Sequence, residues 1–549
     1  VSSMRKNYSQ VPSVNYGRSR FDLSHRKLTS FNEGDLFIAD WQEVLPGDSW
    51  KIKTNAVIRT STPFVKPIMD NLFLDLYTFF VPLRLVYDDA EKIFGVSRPS
   101  MYESDELATM PTIPAGKVSS KSVGDYLELP VGVNLPADFV SIAPFRAFAL
   151  IYNQWFRNQS VVDEVFVNTG EVDSNEVLND DPWGPNNYMG KLPKINKHKD
   201  YFTSALPSPQ KGPSVNIPLS QSIVPVEAET SSQVIDLATR FLRGRSTNNY
   251  YSLNAGASGP SATIDVYAQR NSGPTITSNE NLIFDPQNLY VDLTNVSMAN
   301  IQDLYFAFQL EKMLMRDALY GSRYNEVLLA SFGVSSPDAR LQIPEFISGS
   351  RIPITLQQVS QTSVGTEESP LAQVGAYSLS NGQMYSNKGF VEHGILMTVG
   401  AVRQVHTYQQ GIPKKFTKLR RTDIYEPLFS GIGEQPIKSV ELFVDDNSKV
   451  DDVFGYNEAW ADYKSLQNRI TGQMRSNVDN SLDRWHLGDY FANKPTLVPS
   501  FVQENAVNLD RSLSVESSEQ DNFIADFYFD TKTIRVMPTY SHFGKEFGR

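Results

Sequence analysis

The chain has 549 residues, 40% of them hydrophobic and 11% aromatic, with no cysteine and a formal net charge of −12. Without Cys there can be no disulfide scaffold, thiolate-bound zinc, iron–sulfur cluster or thiol catalysis. At roughly 150 residues per domain the length amounts to about three or four domains' worth of chain, enough for a substantial core.

The charge is unevenly spread. Residues 1–27 carry Arg5, Lys6, Arg18, Arg20, Arg26 and Lys27 against Asp22 alone, a net of +5. Residues 403–421 carry Arg403, Lys414, Lys415, Lys418, Arg420 and Arg421 with no acid, a net of +6, which leaves −23 on the remainder. In the first island the cations alternate with Tyr8, Tyr16 and Phe21. Cations neutralise phosphates and aromatic rings stack on unpaired bases, so both islands are candidate nucleic-acid contacts. The competing readings are a solvated arm for the first and a pairing surface for acids of a neighbouring subunit for the second. The polar N-terminal stretch has no apolar h-region, so no signal peptide is expected, and no run approaches 18 apolar residues.

In chain order, Trp50–Arg59 alternates apolar with polar residues and predicts a strand with one solvated face. Leu72–Val81 is apolar on both faces apart from Asp75 and suits a central strand. Pro144–Asn158 predicts a helix with Phe145, Phe148, Ile151, Tyr152, Trp155 and Phe156 on a packed side. In 244–281, 20 of 38 residues are Gly, Ser, Thr or Asn, too few apolar groups for a core, so this is a surface excursion: a disordered loop or an exposed protrusion. Asn300–Gly321 predicts a second packing helix, with Ile301, Leu304, Tyr305 and Phe308 on one face. Gly394–Tyr408, Ile437–Val444 and Phe523–Met537 read as further strands. Strands near both ends of so long a chain require long-range pairing, which favours a Greek-key sandwich over a local meander.

No enzyme motif is present. The six histidines are scattered, and a lone His is more often a hydrogen-bonded structural residue than a metal ligand. Gly431-Ile-Gly433 runs into Pro436, which is unsuited to a dinucleotide loop that must open into a helix. Asp445–Asp452 lacks the EF-hand glycine and reads as a solvated acidic loop. No catalytic residue, metal or cofactor is expected. A carboxylate pair for glycoside hydrolysis is not visible in sequence, because the spacing that matters is spatial.

An ordered series of blocks resembles a known family. Phe21-Asp-Leu-Ser-His25, Glu43-Val-Leu-Pro-Gly-Asp48, Phe79-Phe-Val-Pro82, Pro144-Phe-Arg146, Tyr152-Asn-Gln-Trp-Phe-Arg157 and Phe202-Thr-Ser-Ala-Leu-Pro-Ser-Pro-Gln-Lys-Gly212 open it. Arg316-Asp317, Ser322-Arg-Tyr324, Phe332-Gly-Val-Ser-Ser-Pro-Asp-Ala-Arg-Leu-Gln342 and Gly349-Ser-Arg-Ile-Pro353 form its strongest part. Tyr408-Gln-Gln-Gly411, Gly433-Glu-Gln435, Phe454-Gly-Tyr456, Arg469-Ile-Thr-Gly472 and Trp485-His-Leu487 complete it. Together they are similar to the major capsid proteins of microviruses, closest to the gokushovirus-like branch of these single-stranded DNA bacteriophages. The main gap falls at Glu227–Val296, and the tail Ser541–Arg549 also departs from the pattern.

The resemblance implies an all-β fold, an eight-stranded antiparallel jelly-roll barrel with large loop insertions containing several α-helices. It implies a non-enzymatic protein that self-assembles as about 60 copies into a T=1 icosahedral shell around circular single-stranded DNA. The partners implied are further copies of the chain, the genome, a small basic DNA-binding virion protein, a minor pilot protein and a bacterial surface receptor, without membrane insertion. Assembly would take place in the host cytoplasm and the mature location would be the virion. The organisation expected is a basic internal arm over 1–40, a first part of the jelly roll over 41–226, a variable protrusion over 227–297 that meets the host, and the remaining helices, strands and tail over 298–549. A carbohydrate-binding jelly-roll module or glycoside hydrolase is the alternative, and an elongated tail or spike protein a third reading.

Overall fold

In the computed structural model the described residues are 17–94, 96, 109–172, 176–213, 215, 301–321, 323–360 and 374–539, together with short strands between 226 and 291. They fall into two units, 212–313 and the rest of the chain.

The larger unit is built on nine strands: β1 (Ser19–Asp22), β2 (His25–Phe31), β3 (Phe37–Val44), β4 (Ser49–Thr60), β5 (Leu72–Pro82), β6 (Glu345–Ile354), β7 (Ser380–Gly389), β8 (Gly394–Gln404) and β9 (Phe523–Arg535). One antiparallel sheet has the order β1-β9-β4-β7, with β2 following β1 along the same edge of β9. The other has the order β3-β8-β5-β6. With β1 and β2 taken as one strand interrupted at Leu23–Ser24, the orders by chain position are first-eighth-third-sixth and second-seventh-fourth-fifth. The end-to-end pairing expected from the sequence is therefore present: Phe523 of β9 lies opposite Phe31 of β2 and Thr60 of β4.

The all-β class with helical additions holds. The closed barrel does not appear among the described residues: no hydrogen-bonded ladder joins one sheet to the other. The sheets instead share a dry core, where Phe31 and Phe37 stack at 3.9 Å and Phe37 meets Phe527 at 6.0 Å. Strict alternation along β4 sends Trp50, Ile52, Ala56 and Ile58 inward and Lys51, Lys53 and Arg59 outward. β5, between β6 and β8, is nearly all buried, as its unbroken apolar run requires.

The helix α1 (Ala143–Ile151) starts with Pro144 in its first turn, where the missing N–H costs nothing, and continues as a π-turn over Tyr152–Phe156. Phe145, Phe148, Ile151, Tyr152 and Phe156 are buried, but Trp155 is partly exposed and donates to the Pro344 carbonyl at 3.0 Å. The second predicted helix exists as α2 (Ile301–Tyr320), followed by α3 (Tyr324–Phe332). Its expected packing face is a correction: Tyr305 and Phe308 are exposed, as are Phe306, Leu329 and Phe332. An aromatic stripe at helical spacing marks a face that needs covering, and these side chains are left exposed among the described residues. Ile437–Val444 is likewise only partly a strand, since Glu434–Lys438 pairs with Val453–Glu458 and Ser439–Glu441 turns as a 3₁₀ helix.

In the smaller unit the Ser/Asn-rich segment contributes strands. Asp265–Arg270, Asn249–Gly256, Arg243–Ser246 and Ile283–Phe284 form a four-stranded antiparallel sheet in that order, and Val226–Ala228 pairs with Leu289–Val291. No helix among the described residues is long and apolar enough to cross a membrane.

Candidate nucleic-acid and subunit interfaces

The two basic islands meet different fates. Arg5 and Lys6 lie outside the described residues. Arg18 and Arg20 are exposed, at and within β1. On β2 the two-residue period separates neighbours: Arg26 faces outward and grips Asp526 with two bonds of 2.6 Å, which lowers the pKa of that carboxyl. Lys27 faces the other way, donates to the Tyr126 carbonyl at 2.8 Å and pairs with Glu128 at 3.1 Å. It is held inside the protomer rather than offered to a ligand.

In the second island Arg403, at the end of β8, binds Asp75 through Nε at 2.9 Å, and Asp75 also receives Arg351 at 2.7 Å. The acid that interrupts the β5 run is thus the anchor of two arginines from the neighbouring strands, and Arg403 is withdrawn from the surface charge. Lys418 pairs with Asp462 and lies 3.4 Å from the Tyr463 ring centroid. Its burial opposes the charge, but Asp462 and Tyr463 outweigh it and raise the pKa. Lys414 donates to the Tyr201 hydroxyl at 3.3 Å, and Lys415 sits 5.7 Å from the Phe416 ring centroid. Arg420 and Arg421 are exposed, Arg421 with Glu426 at 3.3 Å.

Composition alone missed what surrounds these cations. The stretch from Ile412 to Ile432 folds as three 3₁₀ turns, over Lys414–Phe416, Arg421–Asp423 and Pro427–Phe429. It exposes Ile412, Phe416, Leu419, Ile424, Tyr425, Leu428, Phe429 and Ile432, with Leu419 at 86% and Leu428 at 84%. Trp460 fixes the excursion, donating through Nε1 to the Phe429 carbonyl at 2.9 Å and meeting Tyr425 edge-on at 5.6 Å. So many exposed large apolar side chains in one short stretch are unusual for a monomeric soluble protein, and surfaces of this composition commonly meet another protein, a membrane or a ligand.

Elsewhere in the larger unit lies a buried ionic network. His406 shares its two ring nitrogens between Asp489 at 2.7 Å and Glu504 at 3.1 Å, and Lys197 stands 3.7 Å from Asp489. Burial alone would lower the histidine pKa, but the two carboxylates prevail and raise it to about 10. His25 is similarly held at about 9 by its bond to Asp40. Both are structural cations. Among the described residues no group of three His, Asp or Glu side chains is placed to hold a metal ion. Two surface pockets among the described residues hold no carboxylate pair: one, lined by Gln409, Arg475 and Tyr490, has no acid, and the other has only Glu164.

Comparisons with known proteins identify the family. The sequence model of the family described as "Capsid protein (F protein)" matches residues 9–544. The chain is 35% identical over 540 residues to "Capsid protein VP1" of Bdellovibrio phage phiMH2K, covering 97% of this chain and 96% of that protein. It is 34% identical to the VP1 capsid protein of Chlamydia phage 1, covering 98% of each, and 34% identical to that of Spiroplasma virus 4, covering 95% and 94%.

Proposed function

Because this chain belongs to the phage capsid protein (F protein) family and is a structural, non-enzymatic major capsid protein of a bacteriophage virion, we propose that about 60 copies close a T=1 icosahedral shell around circular single-stranded DNA. The observation that carries this reading is the correspondence with VP1 capsid proteins over nearly the whole of both chains. The eight-stranded jelly roll is part of it. Orders of first-eighth-third-sixth and second-seventh-fourth-fifth are what an eight-stranded chain folded over itself into two facing sheets produces. With no cysteine anywhere, the shell is held by non-covalent contacts.

The exposed apolar excursion at 412–432 and the uncovered faces of α2 and α3 supply such contacts, each buried by a neighbouring copy. The basic arm carries Arg5, Lys6, Arg18, Arg20, Arg26 and Lys27 towards the genome. Arg18 and Arg20 act by direct phosphate neutralisation, and Arg26 and Lys27 chiefly fix the root of the arm. Lys414, Lys415, Arg420 and Arg421 sit among apolar side chains and serve the subunit contact at least as well as DNA, while Lys418 braces the excursion. A small basic virion protein and a pilot protein share the particle. The strand-forming insert around 244–281 meets the bacterial surface. Negative-stain imaging of the purified full chain tests the shell: closed icosahedral particles are expected, and a monomer or elongated trimer would refute it. Removing 244–281 and measuring adsorption of intact particles tests the insert.

A further inference from the structure

Among the described residues the sheet β1/β2-β9-β4-β7 has one face in the core and one face bare. Alternation places Arg20, Asp22 and Arg26, then Asp526, Tyr528, Asp530 and Lys532, then Lys51, Lys53 and Arg59, and finally Gln383 and Tyr385 on the bare side. Six cations thus share a surface with three acids, in a chain whose total is −12.

The pairing is more telling than the count. Every acid on the face is already matched by a cation of the same face: Asp526 by Arg26 at 2.6 Å, Asp530 by Lys532 at 3.1 Å, and Asp22 also by Lys532. Arg20, Lys51, Lys53 and Arg59 make no ion pair or hydrogen bond through their side chains among the described residues. Lys51 and Lys53 are neighbours on this face of a single strand, one side-chain repeat of roughly 6.6–6.8 Å apart, and Arg59 lies further along the same strand beyond Asn55 and Val57. Together they give the strand a line of positive charge that an extended polyanion can track.

Two exposed tyrosines flank this row. Tyr385 of β7 lies opposite Lys53, whose Nζ is 5.7 Å from its ring centroid. Tyr528 of β9 lies opposite Asn55 of β4 and Arg26 of β2. Exposed Leu28, Ile524 and Ile534 complete the surface. The sixteen residues before Gly17 carry Arg5 and Lys6 and no acid.

From this juxtaposition we propose that the bare face of the first sheet is a binding platform for single-stranded nucleic acid, with Lys51, Lys53, Arg59 and Arg20 on phosphates and Tyr528 and Tyr385 stacking on unpaired bases. The inference rests on the reading that the shell encloses single-stranded DNA, and it adds residues outside both basic islands. Free cations and aromatic planes on an open sheet suit a polyanion with exposed bases. A second copy of the chain would have to bring unpaired acids to the same place.

Ultraviolet cross-linking of intact particles whose DNA carries 5-iododeoxyuridine, followed by peptide mapping, tests the proposal. Cross-links on the peptides holding Tyr528 or Tyr385 are the expected result. DNA-filled particles cross-linked only elsewhere, or a face cross-linked only to other protein, would overturn this inference alone. Particles without DNA would overturn the packaging reading and this inference with it. With purified full-length protein and oligothymidylate, the combined K51Q, K53Q and R59Q substitutions should reduce the slope of log K against log salt by about 2. Tyr528→Ala with Tyr385→Ala should weaken binding on the order of tenfold or more with the slope retained. An unchanged slope in the first variant would also overturn the proposal.

Discussion

Asp75 and Arg351 stand directly opposite each other on neighbouring strands, the guanidinium Nε donating at 2.7 Å to a carboxylate that is only 1% exposed. Arg403 reaches the same carboxylate from the other side, so one acid holds three adjacent strands of the sheet together through charge-assisted bonds.

Asp75→Ala therefore leaves Arg403, which is itself largely buried, without a counter-charge, held only by the Tyr77 hydroxyl at 3.0 Å and the Asn196 carbonyl at 3.3 Å. A loss of about 3–5 kcal/mol is expected, as for a buried ion pair from which one member is removed. Denaturant unfolding of the full chain checks it, with Asp75→Asn giving a smaller loss because one of the two acceptor oxygens is kept.

The His406 network makes stability depend on alkaline pH. The histidine pKa lies near 10 in the folded chain against 6.5 when free, so its contribution is complete below about pH 6.5 and is lost as pH rises through about 10. In that window the folded state holds one more proton, and stability should fall by up to about 1.4 kcal/mol per pH unit. Unfolding midpoints between pH 6 and 10 measure it, and His406→Gln should flatten the slope while lowering stability at neutral pH.

Glu33 has the same pH trend without partners to stabilise it. It is fully buried, neither carboxyl oxygen meets a hydrogen-bonding group of the protein, and burial followed by the nearby Glu504 raises its pKa well above the usual carboxylate range. A raised carboxyl pKa means that the folded state keeps a proton the unfolded chain has released, so stability declines as pH climbs above about 4.5. Glu33→Met preserves the volume and removes the polar group. A gain of about 1–3 kcal/mol at pH 7 is expected from thermal or denaturant unfolding.

Leu419 and Leu428 report on assembly rather than on folding. Both are almost wholly exposed, so Leu419→Asp with Leu428→Asp should change protomer stability by no more than about 0.5 kcal/mol each. Charges buried without partners at a subunit contact are costly, so closed shells should disappear. Circular dichroism of the protomer with sedimentation or electron imaging of the product separates the two effects.

Local periodicity was enough to read several elements directly. The alternation over Trp50–Arg59, the doubly apolar run of β5, the Pro-started α1 and the paired strands at the chain ends all follow from the spacing of side chains along the backbone. The absence of cysteine likewise fixed, from sequence alone, that no disulfide links this chain to a neighbour. Tertiary structure alone decided which charges are available. Arg403 and Lys418 look like members of a basic cluster, yet each is neutralised by an acid far away in the chain, Asp75 and Asp462. Lys51, Lys53 and Arg59 look like ordinary solvated positions, yet β9 and β7 bring Tyr528 and Tyr385 beside them from more than 300 residues away. The reason is geometric. The period of a strand is set by its own backbone, whereas its neighbours are set by sheet register, which joins residues whose separation in sequence carries no signal. The −12 of the whole chain was legible at once; its division into paired acids and a bare cationic face existed only after the sheet had formed.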